Sequence, residues 1–142
     1  MLNSVFLDTN IIVDLFDEKR KSSQASGEIV KGLLAQGTIL YVNSDTLTTT
    51  FYILRNQKKM TFQETINAIK ETAIFCELVL IEIDEVLETI GLCETENTPF
   101  KDYEDALQYV CAKKVEAELI LTNDKRFVSL DIEVSGTKDF KL

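Results

Sequence analysis

The chain reads as a three-layer α/β fold, with a central parallel sheet of four or five strands flanked by helices. Three observations predict it. Short apolar runs of strand length recur at Ser4–Leu7, Thr38–Val42, Leu78–Ile83 and Leu119–Leu121. Segments with the i, i+3, i+4 apolar spacing of helices separate them, and strands joined through helices form parallel sheets with right-handed crossovers. Aspartates also stand where two runs end, Asp8 after Leu7 and Asp124 just beyond Leu121. In an open sheet, groups at the carboxyl ends of strands face a common crevice at the topological switch point.

Taken in order, Ser4–Leu7 is a short buried strand. A helix follows from Thr9 to Phe16, placing Ile11, Ile12, Leu15 and Phe16 on one face. The charged stretch Asp17–Lys21 is a turn. Ser22 or Ser23 then caps a helix to Gln36, with Ile29, Val30, Leu33 and Leu34 inward and Gly37 as its stop. Thr38–Val42 is the second strand. Asn43-Ser44-Asp45 turns the chain into a helix through Leu54, and Thr61 with Glu64 forms a capping box for a helix to Phe75. Leu78–Ile83 is the third strand, after which Asp84 caps a helix through Leu92. Thr98-Pro99 breaks the chain before a helix over Asp102–Lys114. Leu119–Leu121 is the fourth strand and Ile132–Val134 a short fifth. No linker divides the chain, so residues 1–142 are expected to form a single domain.

Composition narrows the chemistry. There is no histidine among the 142 residues, which excludes serine–histidine and cysteine–histidine triads. Cys76, Cys93 and Cys111 are odd in number and lack CxxC spacing, which argues against zinc ligation or a disulfide framework; Cys76 and Cys111 fall in apolar patterns and read as buried thiols. No apolar run approaches the ~18 residues of a membrane span, and the amino terminus shows no secretory signal pattern, so a cytoplasmic protein with no membrane partner is expected. Twenty-four acids against fifteen bases give a net charge of −9, the wrong sign for holding nucleic acid by general electrostatics. Local basic clusters remain: Lys19-Arg20-Lys21, Arg55 with Lys58 and Lys59, and Lys125-Arg126.

Asp8, Asp105 and Asp124 are the candidate functional acids, and each has a structural alternative. Asp8 can cap the helix it precedes. Asp102 and Asp105, at i and i+3, approximate a capping box in which Asp102 is the cap, leaving Asp105 at the edge of the buried Ala106-Leu107 stripe. Asp124 is an ordinary turn residue when taken alone. Asp14, inside its helix, reads as structural or as a support to the site. Separate caps would not predict acids at several element ends of one crevice. Such acids repel one another unless a cation or proton neutralises them, and a divalent metal is the simplest neutraliser.

The blocks Leu7-Asp8-Thr9-Asn10-Ile11-Ile12-Val13-Asp14, Asp102-Tyr103-Glu104-Asp105-Ala106-Leu107 and Leu121-Thr122-Asn123-Asp124-Lys125-Arg126-Phe127 resemble, in order and over essentially the whole chain, the signature blocks of the PIN domain family. The resemblance implies one PIN-like domain over 1–142 and a cleft of acids binding Mg²⁺ or Mn²⁺. It also implies kinship with VapC-like toxins, ribonucleases held inactive by a cognate antitoxin and often homodimeric. By the resemblance, Asp8, Asp105 and Asp124 match the catalytic metal-site acids, while Asn10 and Thr122 match positions that brace them. Many members carry a glutamate in a block similar to Thr46–Leu54, where this chain has Thr49. A hydroxyl there can position water but adds no charge to balance a cation.

The expected function is metal-assisted hydrolysis of RNA phosphodiesters, with Asp8 and Asp105 as main ligands and Asp124 completing the cluster. Asn10, Thr49, Asp102 and Thr122 would position water or ligands, and Arg55, Lys58, Lys59 and Lys125 would guide the RNA backbone. The alternative is a catalytically weakened PIN-like module that binds RNA or protein, which the net charge and Thr49 favour. A further alternative is aspartate-based phosphoryl transfer; its receiver-domain form would need Asp84 at the end of a central strand.

Overall fold

The computed structural model describes residues 1–142. Strand β1 (Ser4–Leu7) leads into α1 (Thr9–Phe16) and α2 (Ser23–Ala35), and β2 (Ile39–Asn43) into α3 (Ser44–Tyr52), which a π-helical turn at Ile53–Gln57 prolongs. Helix α4 (Phe62–Phe75) precedes β3 (Glu77–Val79) and α5 (Ile83–Glu94). Helix α6 (Tyr103–Lys114) precedes β4 (Leu119–Leu121), and β5 (Glu133–Ser135) completes the sheet. All pairings are parallel and the strand order is β3-β2-β1-β4-β5. The chain thus builds outward from β1 on one side and returns to build on the other, placing the switch point between β1 and β4.

Side chains alternate across a strand, so each run of apolar residues feeds two layers. Val5 and Leu7, Leu40 and Val42, and Leu119 and Leu121 pack on one face with Ile11, Ile12, Ile29, Val30 and Leu33 of α1 and α2. Phe6 and Ile120 point the other way, into a core with Phe100, Phe127 and the apolar residues of α6. Helix α6 is buried from Ala106 through Ala112, the mark of an element covered on several sides. Each fully buried Leu, Ile or Phe contributes roughly 2 kcal/mol of transfer free energy.

Four helix starts follow from side-chain caps, whereas Ser22 before α2 makes no capping bond and donates to Asp14 instead. Asp8 caps α1, Asn43 caps α3, Thr61 and Glu64 form the capping box of α4, and Asp102 caps α6 by accepting from the Asp105 backbone N–H at 3.0 Å. Gly37, at φ +83°, ends the α2 segment in a conformation that suits glycine.

The third strand departs from expectation. It was placed at Leu78–Ile83 but occupies Glu77–Val79. Its partner β2 ends at Asn43, which pairs with Val79 and then turns aside to cap α3, so nothing remains for residues 80–83 to pair with. The Leu80 carbonyl accepts instead from Lys114 Nζ, and the Glu82 N–H donates to Glu85 Oε1 at 2.8 Å. The helix therefore begins at Ile83 with Glu82, not Asp84, at its cap. Asp84 lies exposed in the first turn of α5 rather than at a strand end, which removes the acid that the receiver-domain alternative required. The fifth strand is displaced by one residue from Ile132–Val134. No helix is long and apolar enough to cross a membrane.

Candidate active site

Asp8 leaves the carboxyl end of β1 beside β4, its backbone N–H donating to the Leu121 carbonyl at 3.0 Å. The side chain is buried and held by three donors. The Thr9 N–H donates to Oδ1 at 2.6 Å, and Thr122 Oγ1 and Asn10 Nδ2 donate to Oδ2 at 2.6 and 2.9 Å. Burial raises its pKa, hydrogen bonding led by Thr122 works against that, and the Asp124 charge adds to the rise. Thr122 is itself fixed by Asn10 Nδ2 at 3.1 Å and receives the Asp124 N–H at 3.0 Å. Asn10 Oδ1 accepts from the Asn123 N–H at 3.1 Å, closing a network that locks α1 to the end of β4. Asn10 and Thr122 thus brace Asp8.

Asp105 projects from the first turn of α6 into the same hollow. An open depression of about 250 Å³ is lined by Asp8, Asn10, Thr49, Asp102, Asp105 and Asp124, together with Thr9, Arg20 and Glu104. The acids that the sequence placed at separate element ends therefore meet. Burial, followed by repulsion from Asp8, Asp102, Asp124 and Glu104, pushes the Asp105 carboxyl up to about 7. Asp124 has a partly structural role too, since its Oδ1 accepts from the Arg126 N–H at 2.9 Å.

The four basic residues assigned to RNA are distributed differently. Lys125 sits beside Asp124, on an adjoining depression with Lys138. Arg55, Lys58 and Lys59 do not line the acidic depression. Arg55 donates to the Met60 carbonyl at 2.8 Å, Lys58 pairs with Asp17 at 3.2 Å, and Lys59 shares a separate hollow with both Lys58 and Asp17. The cluster spans the π-helical turn after α3 and the residues just beyond it, and its two lysines lie against the Asp17 loop.

Sequence reasoning missed Glu104, Gln108 and Thr9, and named Arg20 only within a basic cluster. Glu104 is half-buried, and its Oε1 accepts from Thr9 Oγ1 at 3.1 Å. Gln108 Nε2 donates to Thr9 Oγ1 at 3.2 Å and approaches Glu104 Oε1 at 3.5 Å. Glu104 and Gln108 are one helical turn apart, so a polar i, i+4 pair bordering the apolar stripe of α6 was the available signal. Arg20 lines the depression but is engaged by Asp14, whose Oδ1 accepts from its Nε at 2.5 Å.

The donor set fits a hard divalent cation. Five carboxylates and the hydroxyls of Thr9 and Thr49 line the depression with no histidine or cysteine, an oxygen set of the kind Mg²⁺ or Mn²⁺ prefers. No three acidic groups stand close enough to form a closed cage. Mg²⁺ retains several waters and commonly uses one or two carboxylates, so an open arrangement suits it.

A parallel sheet with an acidic crevice at its switch point defines a class of α/β domain that gathers carboxylates into one cleft. The PIN domain model matches residues 4–126, and the chain belongs to the PIN domain family. It is 43% identical over 136 residues to Ribonuclease VapC1 of Aquifex aeolicus (strain VF5), covering 96% of this chain and 92% of that protein. Its fold is similar to the crystal structure of Mycobacterium tuberculosis VapC20, a sarcin-ricin loop cleaving toxin, at a TM-score of 0.69 and 13% identity, covering 89% of this chain and 98% of the other. It is also similar to VapBC2 from Rickettsia felis bound to a DNA fragment from their promoter, at a TM-score of 0.69 and 18% identity, covering 94% and 98%.

Proposed function

We propose that this protein is a cytoplasmic, divalent-metal-dependent endoribonuclease that acts, over residues 1–142, as one PIN-like unit and as the toxin of a toxin–antitoxin pair. The convergence of Asp8, Asp105 and Asp124 on one depression carries the reading, and the 43% identity to a ribonuclease supports it. Bound Mg²⁺ or Mn²⁺ would supply Lewis-acid stabilisation of phosphoryl charge and acidify water. Asp8, with both oxygens oriented by donors, would be the fixed ligand, and Asp105 the second. Asp105 keeps its proton up to about 7 when no cation is present, so it must lose that proton before ligation. Asp124 would complete the cluster, Asp102 orients Asp105 through the cap, and Thr49 would position water. Lys125 and the exposed Arg126 at the rim would meet the phosphodiester backbone.

The partner surfaces belong to the same proposal. Ile83, Leu87 and Ile90 recur on α5 at helical spacing and are 66%, 58% and 41% exposed, an apolar stripe suited to a second copy of the chain. The structural relatives include VapBC2, which supports an antitoxin as a further partner. Purified protein should cleave RNA with Mg²⁺ or Mn²⁺ and lose that activity with EDTA or Asp8→Asn. Cleavage that survives both would overturn the reading.

The second reading is a weakened PIN-like module that binds RNA or protein. The −9 net charge and Thr49 in place of a family glutamate favour it. Under it, the wild type binds Mn²⁺ no better than Asp105→Ala.

A further inference from the structure

We infer that Glu104 supplies this site, from α6, with the carboxylate charge that α3 leaves out at Thr49. The inference rests on the proposed metal site and adds a ligand-side residue to it. Glu104 lines the depression with Asp8, Asp105, Asp124 and Thr49 and also lines the adjoining one with Asp45, Thr48 and Thr49, so it stands between the acid cluster and the threonine.

Its placement is built. Thr9, the residue after Asp8, donates its hydroxyl to Glu104 Oε1 at 3.1 Å, so the element that orients Asp8 orients Glu104 as well. Thr9 Oγ1 lies 3.5 Å from Thr46 Oγ1, which ties the same group to α3 one turn before Thr49. Gln108, 1% exposed, turns its Nε2 toward Thr9 and Glu104 while its Oε1 has no hydrogen-bond partner. A buried acceptor left open beside a group of carboxylates is costly unless something donates to it. A solvated surface glutamate would need none of these contacts. Glu104 makes no ion pair with any lysine or arginine.

The test is Mn²⁺ affinity, read by electron paramagnetic resonance or calorimetry at pH 8, for the wild type, Asp8→Asn, Glu104→Gln, and Glu104→Gln combined with Thr49→Glu. Loss of about tenfold or more in affinity is expected for Glu104→Gln, with the melting temperature of the metal-free protein held or raised. Thr49→Glu should recover most of that loss, because it returns the charge from the opposite wall. Equal affinity of wild type and Glu104→Gln, with Asp8→Asn impaired, would overturn the inference and leave the metal site standing. No Mn²⁺ binding by the wild type beyond that of Asp8→Asn would end both. Affinity lost in Glu104→Gln but not regained with Thr49→Glu would also count against it, since the charge would then not be interchangeable between the walls.

Discussion

Thr122 Oγ1 donates to Asp8 Oδ2 at 2.6 Å, joining residues 114 apart in the chain at the point where β1 and β4 end side by side. The bond exists because Leu7 pairs with Leu121 in the parallel ladder, which puts the next residue of each strand at the same level. A threonine at that level holds an aspartate in one rotamer and lowers its pKa against the rise that burial imposes.

Thr122→Val keeps the shape and removes that donor. Asp8 then loses one of its stabilising hydrogen bonds, its pKa climbs further, and the Asp124 N–H loses its acceptor. Mn²⁺ affinity and RNA cleavage should each fall by about 10- to 100-fold, the usual range for a residue that orients a ligand. Titration of Mn²⁺ and kcat/KM on a short RNA check this. Thr122→Ser, which keeps the hydroxyl, should stay within a few-fold of wild type.

Asp105 gives a pH signature. Its carboxyl is raised to about 7 by burial first and by four neighbouring acids second, so a proton competes with any cation. Mn²⁺ affinity should rise between pH 6 and 8 and level off above. The same shift works on stability. A carboxyl whose folded pKa lies above its unfolded value is relatively favourable below the unfolded pKa, and that advantage is lost as pH rises through about 7. Asp105→Asn should therefore melt higher than wild type at pH 8 without metal, by roughly 3 °C once solvent screening is allowed for, with the gap closing toward pH 4. A difference independent of pH would show that Asp105 is not the titrating group.

The sheet was legible because its strands are short, strongly apolar and alternate between two cores, as Val5, Phe6 and Leu7 do. Asp8, Asp105 and Asp124 were legible as acids at element ends, and the shared depression follows from strand order. The Leu78–Ile83 segment misled because its pattern fits a strand while its neighbour β2 stops at Asn43; pairing partners are a tertiary property. Glu104 was hidden beside Asp105, since only a contact between residues 95 apart in the chain reveals that it turns to Thr9. That the basic cluster around Arg55 lies on a separate hollow by Asp17 depends on tertiary placement, which its local pattern does not carry.

The cysteines should separate by reactivity. Burial alone raises Cys76 to about 12 and leads the rise of Cys111 to about 11, whereas Cys93 is only partly covered. Since the thiolate is the nucleophile, a maleimide or disulfide reagent at pH 8 should label Cys93 first and leave Cys76 and Cys111 until the chain unfolds. Mass spectrometry of partially labelled protein checks the order.

Asp14 was expected to be structural or a support to the site, and it is a heavily engaged acid within α1. It is fully buried, with Oδ1 accepting from Arg20 and Oδ2 from Ser22, Ser26 and Asn123, the last at 3.3 Å. Its backbone carbonyl accepts from Ser23 Oγ at 2.7 Å as well. One side chain thus joins α1 to the start of α2 and to the loop after β4 that carries Asp124. Asp14→Ala leaves Arg20 without its partner and two serine hydroxyls without acceptors in a buried setting, and breaking a buried pair from one side costs about 3–5 kcal/mol. Urea unfolding should show a loss of that order. Because Asn123 also loosens, RNA cleavage measured well below the new midpoint should fall too. Arg20→Met removes the charge but keeps a long apolar stem, and it should cost less than Asp14→Ala because three hydroxyl and amide donors still satisfy the carboxylate.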